Sequence, residues 1–296
     1  MHVHTKRVID ATSSLTAAVA STLEHEIERV VIGQEKPVHD VLLALLAGGH
    51  CLFTGVAGTG KSLLGAVIAE AVGLPHSRIP GGPDAQPRTL AEGGVIVIDE
   101  LERTPPAVRA HLLEQDPANA FVMATRNPAH KSEWPLTQAE FDRFLLSTPF
   151  EYPTAEEERE LLRRTSKPGT AAANAVIDSV DLFRARVEVR DMPAASNVIE
   201  YAARLARSTR PVIDSEGPEF VHELVAVGAG PRGSQALLAA ARAHALIDGE
   251  AAVSLDDIDA VAPAALRHRI VLTESARRQG LTADDVISRI LPLARK

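Results

Sequence analysis

Two spacings of hydrophobic residues alternate along the first half of the chain. Residues 11–31 and 38–47 carry apolar side chains every three or four positions, which predicts two amphipathic helices. Other segments are short and apolar without interruption, as strands covered by helices on both faces are. These segments are residues 50–54, 95–98, 120–125 and 144–150. Helices are expected between them, over residues 61–72 and 106–114. The pattern predicts an α/β fold with a doubly wound parallel sheet.

The second half of the chain has a different pattern, because no strand-like segment follows Tyr152 and Pro153. Instead, a hydroxyl residue is followed by a carboxylate three positions later at several places, which is typical of capped helix starts. These pairs are Thr154 with Glu157, Ser254 with Asp257, and Thr282 with Asp285. We therefore predict an α/β core over residues 1–153, including an N-terminal helix, and a smaller all-helical domain over residues 154–296.

Charge and composition narrow the choice of partner and compartment. The formal net charge of −8 repels a phosphate backbone, so we expect no nucleic-acid binding. Cys51 is the only cysteine, which excludes an internal disulfide and fits a reducing cytoplasm. The apolar segments fall far short of the roughly 20 residues that span a bilayer, and no signal-like segment follows residues 1–7. These features predict a cytoplasmic protein with no membrane-embedded part.

A glycine-rich segment follows the first predicted strand. Residues 55–62 match G-x-x-x-x-G-K-[ST], the phosphate-binding loop or P-loop. Its glycines let successive backbone N–H groups face phosphate oxygens, and the next helix adds its positive N-terminal end. We expect Lys61 to reach the β- and γ-phosphates and the Ser62 hydroxyl to bind Mg²⁺. The predicted nucleotide-binding residues of this segment are Gly55, Ala57, Gly58, Thr59, Gly60, Lys61, Ser62 and Leu63.

Two acids, Asp99 and Glu100, directly follow the apolar segment 95–98. Ligands of open α/β sheets bind beyond the carboxyl ends of the strands, so both carboxylates are expected beside the phosphates. We predict that Asp99 binds the same Mg²⁺ as Ser62 and that Glu100 polarises the attacking water. The chain has no N-K-x-D segment to read guanine, which favours ATP over GTP as the nucleotide.

Beyond these two motifs, the chain resembles the MoxR group of AAA+ ATPases over nearly its whole length. The segments that carry the resemblance are residues 31–35, 124–128, 135–136, 138–144, 230–233, 261–263 and 266–269. It implies that Ile32 and Gly33 border the adenine and that Asn127 is the sensor-1 residue near the γ-phosphate. It also implies that Arg143 is an arginine finger acting in a neighbouring subunit, and that Arg232 is the sensor-2 arginine of a helical lid.

The resemblance implies an Mg²⁺-dependent ATPase that forms a homo-oligomeric ring, expected to be a hexamer. Such a ring would act as a chaperone that remodels or assembles a protein client, and the group implies a von Willebrand factor A-domain protein as that client. Two stretches that the group uses near its substrate are short here, the helix-2 insert between residues 79 and 92 and the pre-sensor-1 segment between residues 113 and 121.

The shortened stretches leave a second hypothesis open, that of a nucleotide-gated scaffold which binds ATP with little or no hydrolysis. Glu102 is a further departure, since the group usually has asparagine there. We expect it to add a third carboxylate near the metal and to attract cations more strongly.

Overall fold

The computed structural model describes residues 14–86, 94–116, 120–130, 132–166, 172–211 and 217–295. Its centre is a five-stranded parallel sheet with the strand order β2-β3-β4-β1-β5. The strands are β1 His50–Thr54, β2 His76–Ile79, β3 Val95–Ile98, β4 Phe121–Arg126 and β5 Phe144–Pro149. The predicted doubly wound α/β core is therefore confirmed.

The strands lie where the hydrophobic pattern predicts them, with one exception. Strand β5 is at the sheet edge, as Pro149 in its sequence requires. Strand β2, which forms the other edge, was not predicted. Its sequence, His-Ser-Arg-Ile, is short, and its residues alternate between exposed and buried, so it lacks the continuous apolar run of a central strand.

Helices cover both faces of the sheet. In the first half of the chain they are α1 Leu15–Glu28, α2 Glu35–Leu46, α3 Lys61–Ala71, α4 Pro106–Leu113 and α5 Gln138–Phe141. On one face, α2 and α3 bury their apolar sides in a cluster that includes Phe53, Val97 and Met123. On the other face, α4 contributes Leu112 and Leu113 to a smaller cluster. Because both faces are covered, the three inner strands β1, β3 and β4 carry polar side chains only near their ends.

The second half of the chain is mostly helical. Its helices are α6 Ala155–Thr165, α7 Ser179–Asp191, α8 Ser196–Arg207, α9 Glu219–Leu224, α10 Pro231–Ile247, α11 Leu255–Leu266, α12 Glu274–Arg278 and α13 Ala283–Ala294. All three predicted capping boxes form, at the starts of α6, α11 and α13. A fourth, formed by Thr137 and Glu140 at the start of α5, was not predicted.

The expectation of an all-helical second domain needs a correction. Two short strands, β6 Val225–Val227 and β7 Val271–Leu272, pair as an antiparallel ribbon within it. They link the end of α9 to the segment before α12, and both are too short to give a pattern in the sequence.

Helix α1 joins the two halves of the molecule. It packs against α2 and α3 of the first half and against α7 and α10 of the second. Leu23 and Ile27 of α1 are fully buried, and one apolar cluster runs from the sheet to α13. The boundary at residues 153 and 154 remains a prediction. In the part of the chain that the structure describes, no helix is long and apolar enough to cross a membrane.

The buried side chain of His50 is expected to make stability depend on pH. Its Nδ1 accepts a hydrogen bond from the Val122 N–H at 3.2 Å, so Nε2 carries the proton and donates to the Gln115 carbonyl at 3.2 Å. Burial lowers the pKa of His50 to about 4. The unfolded chain takes up this proton near its ordinary pKa of about 6.5. Stability is therefore lost as pH falls from about 6.5 to about 4, by about 3 kcal/mol in total.

Urea unfolding at about pH 7 and about pH 5 measures this effect. Over that interval, the free energy of unfolding is expected to fall by about 2 kcal/mol less in His50→Gln than in the wild type, since glutamine does not titrate. Each protein serves as its own reference, so any constant loss of stability in the variant cancels. An equal fall in both proteins would show that His50 does not titrate between the two states.

Candidate nucleotide-binding site

The P-loop connects the end of β1 to the start of α3. Gly58 and Gly60 have φ values of +86° and +92°, a region that favours glycine, and Gly60 directly precedes the first helical residue. Gly55 has no room for a side chain, because a Cβ there would lie 2.4 Å from the Phe150 carbonyl oxygen. The glycines thus allow the loop to turn tightly between β1 and the chain that follows β5.

Lys61 and Ser62 are the first two residues of helix α3, directly after this loop. The Lys61 Nζ donates to the carbonyl oxygens of Gly55, at 2.9 Å, and of Val56. Burial lowers the pKa of the Lys61 ammonium, while the carboxylates of Glu102, Asp99 and Glu100 act in the opposite direction. The Ser62 Oγ donates to the Asp99 carboxylate. A lysine ammonium and a hydroxyl–carboxylate pair therefore meet at the start of a helix.

Asp99 lies at the end of β3 and is 8% exposed. Both of its carboxylate oxygens are engaged, Oδ1 by the Ser62 hydroxyl and Oδ2 by the Arg78 guanidinium. Serine hydroxyl and aspartate carboxylate oxygens are ligands that Mg²⁺ accepts next to a nucleotide. This pair of side chains fits the metal that the P-loop implies.

Glu100 has an unusual backbone conformation. Its φ is +48°, and among the described residues it is the only one other than glycine with a positive φ. Its N–H donates to the Thr125 Oγ1 at 3.0 Å, which holds the turn against strand β4. Its carboxylate pairs with Arg103 at 2.6 Å, and both side chains are more than 40% exposed. Strained residues of this kind cluster at functional sites, where the surrounding structure holds them in place.

Asn127 follows strand β4 on the same side of the sheet. Its Oδ1 accepts from the Ala129 N–H, and its own N–H donates to the Glu102 Oε1, both at 3.1 Å. Glu102 is 4% exposed and does not line the nucleotide cavity. Glu102 therefore supports the Asn127 backbone from outside the cavity lining, and its charge acts to raise the pKa of Lys61. The expected third carboxylate near the metal stays a prediction.

A cavity of about 490 Å³ brings most of these groups together. The predicted site residues that line it are Ala57, Gly58, Gly60, Lys61, Ser62, Leu63, Asp99, Glu100 and Asn127. It lies at the carboxyl ends of β1, β3 and β4, where open α/β sheets bind their ligands. The cavity offers an ammonium, a hydroxyl–carboxylate pair and a further carboxylate, which is a set of groups suited to a nucleotide with Mg²⁺.

The two residues predicted to border the adenine are outside this cavity. Ile32 and Gly33 lie before α2, and a Cβ at Gly33 would be 2.5 Å from the Glu157 Cδ. The neighbouring Gln34 donates to the Glu151 carbonyl at 3.3 Å. This segment therefore borders the chain after β5, which in turn contacts Gly55 of the P-loop through Phe150.

Arg143 and Arg232 lie at the opposite end of the sheet from the P-loop. Both line a second cavity of about 510 Å³, together with His50 at the first residue of β1. The ends of this strand are roughly 13 Å apart, at about 3.3 Å per residue. The two arginines therefore line the same cavity and are absent from the described lining of the nucleotide cavity.

Contacts with neighbouring carboxylates hold both arginines. The Arg143 guanidinium pairs with Glu114 at 3.2 Å and donates to the Leu113 carbonyl at 3.3 Å. Arg232 is 3.7 Å from Asp142, which also pairs with the buried Arg269 at 2.8 Å. The Arg232 side chain is 59% exposed and that of Arg143 is 34% exposed, so a second molecule can reach both.

Four residues that line the nucleotide cavity were not predicted, namely Arg78, Pro80, Gly81 and Thr125. Arg78 belongs to β2, the strand that was not predicted. A Cβ at Gly81 would lie 2.4 Å from the carbonyl oxygens of Asp99 and Glu100. The loop after β2 therefore packs directly against the turn that these two residues form. The density of proline and glycine in residues 80–83 indicates a loop but does not indicate which residues it contacts.

Replacing Arg78 by alanine is expected to lower the Mg²⁺ concentration required for nucleotide binding several-fold. The guanidinium competes with the metal for Asp99 Oδ2, and its removal also leaves more negative charge at the site. Titration of Mg²⁺ at fixed ATP, with bound nucleotide as the readout, measures the change. Arg184→Ala, on the exposed surface of α7, is the control. An unchanged or higher Mg²⁺ requirement would contradict this role for Arg78.

Known proteins resemble this chain over most of its length. A family described as the AAA lid domain matches residues 219–290. The chain is 34% identical to the chaperone MoxR1 of Mycobacterium tuberculosis, over 93% of this chain and 82% of that protein. It is 30% identical to the uncharacterised protein YeaC of Bacillus subtilis, over 92% and 93% of the two chains.

A solved structure shares the same fold. An ATPase candidate from Cytophaga hutchinsonii superposes with a TM-score of 0.83 at 25% identity, and the match covers 94% of each chain. One chain thus carries the P-loop, the turn formed by Asp99 and Glu100, and the AAA lid domain. Its relatives match it over almost its whole length. The chain belongs to the MoxR group of AAA+ ATPases.

Proposed function

We propose that this protein hydrolyses Mg²⁺-ATP. The observation that carries the proposal is the contact between the Ser62 hydroxyl and the Asp99 carboxylate at the start of α3, with Lys61 and Glu100 lining the same cavity. Phosphoryl transfer requires mainly positioning and charge stabilisation from the protein, and these residue types supply both.

Each residue has a role that follows from its chemistry. Ser62 and Asp99 would hold Mg²⁺, which when bound neutralises charge on the phosphates. Lys61 would leave the loop carbonyls and bind the β- and γ-phosphates. Glu100 would accept a hydrogen bond from the attacking water, and Asn127 would orient that water or the γ-phosphate without adding charge.

The arginines at the opposite end of the sheet support a ring. Arg143 and Arg232 are exposed and distant from the nucleotide cavity of their own chain, so they would stabilise charge in the site of a neighbouring subunit. A contact between one end of a subunit and the other end of the next is heterologous, and repeated contacts of this kind close into rings. We propose a homo-oligomeric ring with six subunits.

The client of the ring is proposed from the relatives. The chaperone MoxR1 suggests that a protein is remodelled or assembled. We propose that the ring acts in the cytoplasm on a client with a von Willebrand factor A domain.

A nucleotide-gated scaffold is the second candidate function. One observation favours it, the ion pair between Glu100 and Arg103, which engages the carboxylate needed to polarise water. In an active ATPase this exposed pair must open, which costs little because exposed ion pairs contribute only about 0–1 kcal/mol.

Replacing Lys61 by alanine tests the proposed site. Removal of the lysine that lines the cavity is expected to weaken Mg²⁺-ATP binding by at least tenfold and to reduce hydrolysis to background. Nucleotide binding is measured by calorimetry and hydrolysis by phosphate release. Arg190→Ala removes an exposed charge from α7 and is expected to change neither. Wild-type binding and hydrolysis in Lys61→Ala would overturn the assignment of the site.

A further inference from the structure

Three side chains of the types that bind metal ions lie close together in the second half of the molecule, far in sequence from the P-loop. His244 lies in α10, Asp248 caps the end of that helix, and Asp257 lies in the first turn of α11. The His244 Nδ1 is 2.7 Å from the Asp257 Oδ1 and 3.6 Å from the Asp248 Oδ2. One ligand atom from each residue lies within 4.8 Å of the other two.

Local structure fixes this arrangement. His244 and Asp248 are four residues apart, so they project from the same side of α10. Asp257 is held by the capping box, in which its Oδ2 accepts from the Ser254 N–H at 2.8 Å and from the Ser254 Oγ at 2.7 Å. Its other oxygen therefore faces His244. Metal ligands are usually oriented by hydrogen bonds of this kind from residues behind them.

The cluster carries more negative charge than its neighbours balance. Asp257 is 2% exposed, and among the described residues neither it nor Asp248 forms an ion pair with a lysine or an arginine. Two carboxylates therefore share one imidazole, which leaves room in the local charge balance for a cation.

A simpler interpretation is a hydrogen bond between His244 and Asp257 that fastens α10 to α11. That bond explains the position of Asp257 but not the approach of the Asp248 carboxylate to the same imidazole nitrogen. A solvated acidic surface does not explain a carboxylate that is 2% exposed.

We propose that His244, Asp248 and Asp257 form a binding site for a divalent transition metal ion of the Zn²⁺ type. One imidazole nitrogen and two carboxylate oxygens are a ligand set that Zn²⁺ accepts, with water in a fourth position. Mg²⁺ and Ca²⁺ prefer oxygen ligands alone, so the imidazole favours the transition metal. This site is independent of the nucleotide-binding cavity and of the ATPase activity proposed above.

The position of the site gives the metal a structural role. The His39 ring of α2 packs edge-on against the His244 ring, with 5.8 Å between the ring centres. A metal ion on His244 would therefore join α10 to α11 and also fix the imidazole that contacts the nucleotide-binding half of the chain. Its binding is expected to stabilise the folded molecule.

Titration of the full-length chain with Zn²⁺ tests the site. The parent protein carries His2→Ala and His4→Ala, because terminal histidines bind the same ions, and excess Mg²⁺ occupies the nucleotide site. Asp248→Asn and His244→Gln preserve shape, and Asp248 is half exposed, so folding is expected to be retained and is checked by circular dichroism. His222→Gln, at an exposed position in α9, is the matched control.

The parent and His222→Gln are expected to bind one Zn²⁺ per chain by calorimetry, and both site variants at least about tenfold more weakly. Zn²⁺ is also expected to raise the unfolding temperature of the parent but not of Asp248→Asn. Equal Zn²⁺ affinity in parent and site variants would overturn the proposal. So would the absence of Zn²⁺ binding by the parent.

Discussion

Replacing Arg143 by alanine is expected to reduce ATP turnover by about 10³–10⁵-fold, although this side chain lies outside the nucleotide cavity of its own subunit. The guanidinium presents a planar fork of donors that stabilises charge spread over the transferred phosphoryl group. Nucleotide binding is expected to remain, because the groups that line the cavity are unchanged. Phosphate release and ATP binding, measured on the same preparation, separate the two effects.

A mixing experiment shows whether Arg143 acts between subunits. Arg143→Ala and Glu100→Gln are each expected to be inactive alone. In a mixed ring, a subunit with intact Glu100 can receive an intact Arg143 from its neighbour, so activity is expected to reappear on mixing. Absence of activity in a mixture whose subunits exchange would contradict the account, as would wild-type turnover in Arg143→Ala.

Replacing Glu100 by glutamine is expected to have the second large effect on ATP turnover. The amide has nearly the same shape but cannot accept a proton, so turnover is expected to fall by about 10²–10⁴-fold while ATP remains bound. Loss of the negative charge also frees Arg103 from its ion pair at 2.6 Å. The measurements are single-turnover hydrolysis and the lifetime of bound ATP, which is expected to increase.

The control for this substitution is Glu223→Gln, which makes the same change at an exposed position of α9. It is expected to leave turnover unchanged. The scaffold hypothesis predicts that Glu100→Gln behaves like the wild type, because a protein that hydrolyses little ATP has little turnover to lose. Unchanged turnover in Glu100→Gln therefore favours the scaffold.

The sequence predicts features that depend on neighbouring residues. The P-loop is defined by glycines whose backbone conformation is local, and the structure has Gly58 and Gly60 in that conformation. The continuous apolar run before Asp99 likewise predicts a buried central strand. Capping boxes join residues three positions apart, and all three predicted ones form.

Features that depend on distant parts of the chain were not predictable. Arg78 reaches Asp99 only because β2 pairs with β3, and β2 is short and half exposed. Arg232 begins α10, and its place beside Asp142 depends on how the second half packs against the sheet, which no local pattern reports. The contact between Glu102 and the Asn127 N–H likewise joins the 3₁₀ turn Leu101–Arg103 to a residue 25 positions further along the chain.

Steady-state Mg²⁺-ATP hydrolysis, measured over a wide range of protein concentration, tests most directly whether Arg143 of one subunit completes the nucleotide site of another. Activity per molecule is expected to rise with concentration as the proposed rings assemble. Arg143→Ala is expected to remain near background throughout the range. The contradicting result is ATP binding with background turnover at every concentration, which would identify the protein as a nucleotide-gated scaffold.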